Sequence, residues 1–330
     1  MKRKPEEVLA GLVNLGAMPA GYAYPASLDR LDPTFKSLLL SVQGALTEAL
    51  RRMNTNVTGG VIVPDFHVDY MDAPEPNAIA FRNDGYSFIV ITVPMAELIA
   101  RTADRLSHSA SIAQALGLGD ASPELIEKLH VAMLSLQINF LASHELTHHL
   151  RGHVTGAIHE NTTVGGLREQ AEEADADSYA VYIVLAHLFN GDGRALALEL
   201  VRNKTTADET LLALFIMAIG AFFAALPQRA IDHITVYKNF HPPEAVRMNY
   251  VMHSLTSWCN QNRPALEAWM KLDRYQAFMR PVAETIRGPL DAANADAERL
   301  FIQSAAGQEY YKKLEELRLQ EFERLKQSVP

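Results

Sequence analysis

The sequence predicts an α+β chain that is mostly helical, with one small antiparallel sheet before its most histidine-rich helix. Long stretches repeat apolar residues every three or four positions, the period of a buried helix face. Residues 60–93 break that period: Val, Ile, Phe and Tyr cluster in runs on either side of "NDG" at 83–85, a hairpin signal. Finally, 48% of the 330 residues are hydrophobic, enough to fill a substantial core.

The elements follow in order. Residues 1–53 form a helical N-terminal part, clearest in "DPTFKSLLLSVQGALTEALRRM" from Asp32 to Met53, where Asp-Pro marks a helix start. "GGVIVPDFHVDYMD" and "PNAIAFRNDGYSFIVITVPM" then supply the strands. Helices are expected over 94–107, 123–151, 168–190, 196–203, 209–226 and 243–261. Several more helices close the chain and end in the charged "YYKKLEELRLQEFERLKQ", an amphipathic helix with a solvated face and a candidate partner surface. The resulting organisation is 1–53, a central α+β unit over 54–256, and a helical tail over 257–330.

Composition narrows the function classes. With 30 Lys+Arg against 39 Asp+Glu the formal net charge is -9, and no basic run suits a phosphate backbone, so nucleic acid is not expected as a partner. Cys259 is the single cysteine, which excludes an intramolecular disulfide and cysteine-rich zinc sites and fits a reducing, cytoplasmic setting. The basic N-terminus runs at once into Glu6 and Glu7 and does not read as a signal peptide. The stretch 210–227, "TLLALFIMAIGAFFAALP", carries no charge; its apolar span of roughly 25 Å falls short of a ~30 Å hydrocarbon core. Two interpretations stay open there, a buried core helix and a membrane-associated hairpin.

The chemistry concentrates in "FLASHELTHHLRGH" at 140–153. On a helix, His144 and His148 are four residues apart and leave the same face one turn apart, the bite of a metal ion. Glu145 lies about 100° round, unable to join the pair as a ligand but placed to act on a water. His153 and His159 are poor third ligands, because the spacing of three-histidine sites falls here on Arg151 and Val154. The acidic helix "REQAEEADADSYAVYIVLAHL" offers an alternative. Within it a glutamate followed four residues on by an aspartate occurs once, as Glu173 and Asp177. Glu173 then completes a two-histidine, one-glutamate site, and Asp177 can accept the free ring N–H of a histidine ligand. The other acids are expected to form the polar face of an amphipathic helix.

These residues resemble a family. "HELTHHLRGH" and "EADADSYA" look like the gluzincin zinc metallopeptidases, most of all the CAAX prenyl endopeptidases and heat-shock membrane endopeptidases of the HtpX type. Lit-type phage-exclusion and ImmA-type repressor-cleaving peptidases are neighbours. "PNAIAFRNDGYSFIVITVPM" is similar to the strand pair before that group's active-site helix, and "HPPEAVR" at 241–247 to a segment after its acidic helix. The resemblance spans about residues 76–250. It departs from the family in the polar "RNDG" loop, in a reduced or missing transmembrane pair, and in a C-terminal tail without counterpart.

The resemblance implies a zincin-like catalytic unit, one catalytic Zn2+ on His144, His148 and Glu173, and Glu145 as general base in the hydrolysis of protein or peptide substrates. It also points to His241 and Arg247 as donors to the oxyanion. An edge near Asn77–Phe81 offers an extended peptide a strand to pair with. The competing expectation is a catalytically idle, zinc-stabilised interaction module, which would need the ligands but have no use for Glu145.

Overall fold

The structure, a computed structural model, describes residues 3–57, 65–119, 122–154, 166–191, 193–200, 206–226, 235–287 and 300–328. The fold is α+β and mostly helical. Helices α1 (Pro5–Asn14) and α2 (Pro33–Val57) precede strands β1 (Asp65–Met71), β2 (Ala78–Asn83) and β3 (Tyr86–Thr92). Helices α3 (Val93–Ser107), α4 (Ala110–Ala115), α5 (Pro123–Leu150), α6 (Leu167–Asn190), α7 (Gly193–Leu198) and α8 (Ala207–Ala225) follow. Then come α9 (Glu244–Asn262), α10 (Pro264–Trp269), α11 (Leu272–Ile286) and α12 (Ala305–Ser328). The chain divides into two compact units, Met1–Leu98 with His144–Thr163, and Ile99–Ser143 with Val164–Pro330.

In the first unit, Asp32 starts α2 as expected: its Oδ1 accepts the backbone N–H groups of Thr34 and Phe35 at 2.9 and 3.2 Å. The hairpin at "NDG" also forms. Asp84 and Gly85 both take positive φ, 48° and 77°, the mirror-image turn whose twist matches paired strands. The sheet is mixed, however, where the sequence pointed to an antiparallel one. β2 runs antiparallel to β3, with Phe81 opposite Phe88, but β1 runs parallel to β3, with Val68 opposite Ile89, in the order β1-β3-β2. The link from β1 to β2 contains Pro74 and Pro76, whose fixed φ and missing N–H forbid a tight hairpin there, so β1 skips β2 and pairs beyond it. Central β3 is buried from Ser87 to Thr92. Phe81, Phe88 and Val90 pack with Val8, Leu9, Met18, Met71 and Ile79. Residues 60–64 of the expected strand region lie outside the described residues.

In the second unit, α6 packs on α9 and α12, and α8 packs on α11. Every residue of α8 from Leu211 to Phe223 is buried. A helix that is apolar all round and covered all round is what a protein core contains, and that burial favours the core-helix interpretation of 210–227. By length and composition alone, α5 and α8 are both apolar enough to cross a membrane, with 61% and 78% of their most apolar windows buried in the protein. Helix α7 begins at Gly193, ahead of the expected 196, and residues 201–203 of that expected helix lie outside the described residues.

Candidate metal centre

The histidine end of α5 is fixed by a left-handed turn. Gly152 has φ 69°, a conformation that favours glycine. The Gly152 N–H reaches the His149 carbonyl at 3.4 Å, and the His153 N–H reaches the His148 carbonyl at 3.0 Å. This two-bond closure folds His153 back on the last turn of the helix. Its ring Nδ1 then lies 3.1 Å from His148 Nδ1. A histidine that binds a metal through Nε2 carries its proton on Nδ1, so His153 is placed to accept that proton and hold the His148 ring in one orientation.

Three further contacts anchor the same helix end to the sheet. The His149 ring Nε2 lies 2.9 Å from the Phe88 carbonyl, and the ring sits edge-on to Phe66 with centroids 5.4 Å apart. Burial pushes the His149 pKa down to about 4, so the ring is neutral and donates to the carbonyl. Arg82, from β2, donates to the His149 backbone carbonyl at 3.0 Å and supplies positive charge where the helix dipole is negative. Glu145, in the last two turns, is buried at 6% exposure.

The acid-bearing stretch of α6 is organised by charge. Glu173 and Asp177 are both buried on the face turned to α9. Arg247 of α9 donates through Nε to Asp177 Oδ2 at 2.7 Å and through Nη2 to Asp177 Oδ1 at 2.8 Å, a bidentate fork. The same Nη2 lies 3.7 Å from Glu173 Oε2, and the guanidinium stands over the Phe223 ring at 4.9 Å. Burial opposes the arginine's charge, but Asp177, then Glu173 and Glu244, more than offset it, and the pKa moves up. His241 completes the surround, with Nε2 3.4 Å from Glu173 Oε2. Arg247 is thus a buried side chain committed to an ion pair with Asp177, not a surface arginine. That pairing was invisible in the sequence.

Among the described residues, one group of three side chains can hold a metal ion: His144, His148 and Glu173, whose ligand atoms all lie within 4.8 Å of one another. His144 Nε2 and His148 Nε2 are 3.1 Å apart. The two histidines and the glutamate expected from spacing are therefore brought together, with His241 and Arg247 beside the glutamate. His159 lies outside the described residues. The contact of His153 with His148 escaped the sequence, although glycine one residue before it marks the left-handed turn that positions it. Comparison with protein-family models, with curated proteins and with solved structures returns no match.

Proposed function

We propose that this chain is a zinc-dependent endopeptidase in which His144, His148 and Glu173 hold the ion and Glu145 is the general base. The observation that carries the proposal is the meeting of two imidazoles and a carboxylate within 4.8 Å, with a buried glutamate directly after the first histidine. Nitrogen and carboxylate donors in this ratio suit zinc, and three protein ligands leave a coordination position for water. Two nitrogens bound to one tetrahedral zinc at about 2.0–2.1 Å stand roughly 3.3 Å apart; the 3.1 Å found between the His144 and His148 nitrogens fits that requirement. A hydrogen bond between the rings has the same length, but it gives no reason for a carboxylate to join them. The motif resemblance to gluzincin peptidases supports the same assignment.

When bound, zinc supplies an activated water and a Lewis acid for the scissile carbonyl. The Glu145 carboxylate takes the proton of the attacking water and passes it to the leaving nitrogen. His153 holds His148 in its ligating orientation. Arg247 is committed to Asp177, so it keeps the acidic helix charged and ordered, while His241, beside Glu173 and 36% exposed, is the more accessible of the two to an oxyanion. β2 lies at an edge of the sheet, where an extended peptide can add a strand.

A second reading has an observation in its favour. His144, Glu145 and Glu173 are only 5%, 6% and 4% exposed, as in a closed centre that stabilises an interaction module. Glu145→Gln separates the two. In the peptidase the variant retains one zinc per chain, and chelator-sensitive hydrolysis of casein falls by about 10²–10⁴-fold. Undiminished hydrolysis in that variant rejects the mechanism. A zinc-dependent fold with no hydrolysis in either protein, and no substrate trapped on the variant, establishes the module instead.

A further inference from the structure

His241 sits at the end of a segment with little regular structure, a single 3-10 turn over Thr235–Lys238 followed by Asn239 and Phe240, before Pro243 caps α9. Such a segment has few backbone hydrogen bonds of its own to fix it. It is held from α6. Gln170, one turn before Glu173 and fully buried, donates through Nε2 to the Val236 carbonyl at 2.7 Å and the Asn239 carbonyl at 2.6 Å. An amide that gives its N–H groups to carbonyls must offer its oxygen to a donor. That donor is the hydroxyl of Tyr310 on α12, also fully buried.

Helix α12 reaches further. The Tyr310 ring meets Tyr237 edge-on with centroids 5.5 Å apart, and Tyr311 stacks on Tyr250 of α9 at 5.2 Å and 7°. Arg318 lies over the Tyr250 ring at 5.5 Å while paired to Glu315 at 2.8 Å. The C-terminal helix therefore touches each piece that carries a polar group of the acidic half-site: α6 with Glu173, the 236–239 turn that leads to His241, and α9 with Arg247. Apolar packing alone would leave these pieces free to settle in several ways. A fully satisfied amide at the junction selects one arrangement.

We propose that α12 is a positioning element of the metal centre: Tyr310 sets the amide of Gln170, and Gln170 fixes the 236–239 turn so that His241 stays on Glu173. This rests on the assignment of Glu173 as ligand and His241 as the facing donor. Gln170 and Tyr310 are positioning residues that act through His241. The helix that composition marks as a solvated tail is, on its inner face, part of the site.

The test compares the full-length protein with Gln170→Leu and Tyr310→Phe. Amide hydrogen exchange at residues 236–241 should speed up about tenfold in Gln170→Leu and less in Tyr310→Phe, with α8 unchanged. Zinc should bind about tenfold more weakly to Gln170→Leu, and kcat on casein should fall while KM holds. Unchanged exchange at 236–241 in both variants, or an equal rise throughout α6, α8 and α9, would overturn the proposal, the latter by reducing both residues to ordinary core. If Gln170→Leu does not fold, Tyr310→Phe, which removes one oxygen atom, decides alone. If the wild-type protein hydrolyses nothing or binds no zinc, the peptidase assignment fails, while the exchange pattern still decides whether α12 holds the turn.

Discussion

The histidine end of α5 and the acid-bearing stretch of α6 bury polar side chains by opposite means. At α5 the anchoring side chain is neutral: the buried His149 ring donates its N–H to the Phe88 carbonyl. At α6 they are charged: Asp177 and Glu173 stay buried because the Arg247 guanidinium lies against both. A neutral anchor is vulnerable to protons, since acid turns it into a buried cation. An ionic anchor is vulnerable to loss of its partner, since either charge left alone is costly to keep from water. The two halves of the candidate centre should therefore fail under different treatments.

The largest effect should come from Arg247→Leu, which strands Asp177. A loss of about 3–5 kcal/mol is expected in urea unfolding, with much of it recovered when Asp177→Leu is added. A loss below about 1 kcal/mol would break the comparison, because α6 would then not depend on its ion pair. Acid probes the other half. The folded His149 ring has a pKa of about 4, below its unfolded value near 6.5, so the folded state binds fewer protons. Its contribution is fully present above pH ~6.5 and is lost as pH falls through about 4, amounting to at most about 3 kcal/mol. Stability of the zinc-stripped protein, followed by circular dichroism from pH 7 to 4, should fall less steeply in His149→Phe than in wild type. Equal slopes would mean that the ring is not held neutral. The smallest effect sharpens the account of the helix end. Nothing lies within 4 Å of a Cβ added at Gly152, so Gly152→Ala should cost only the left-handed backbone, about 1 kcal/mol, seen as a lower melting temperature.

What the sequence revealed and what it hid divide along physical lines. Local features could be read: α2, α5 and α6 follow from apolar repeats, α8 from an unbroken uncharged run, and the 83–85 turn from its Asn-Asp-Gly residues. His144, Glu145 and His148 are local on one helix, so their spacing alone places them. Glu173 was singled out because a glutamate followed four residues on by an aspartate occurs once in that helix. The parallel pairing of β1 with β3 was not legible, because strand order depends on contacts between distant segments that leave no periodic mark. Asp177 with Arg247 are 70 residues apart and Gln170 with Tyr310 are 140 apart. Each member of those pairs is an ordinary polar residue until its partner is known.

The central claim is that two imidazoles of α5 and one carboxylate of α6 bind one ion. Metal content by elemental analysis, after dialysis against zinc, tests it most directly in wild type, His148→Ala and Glu173→Ala. One zinc per chain in wild type and less than about a tenth of that in each variant is the expected result. Full zinc retention in Glu173→Ala, with the protein folded, would contradict it.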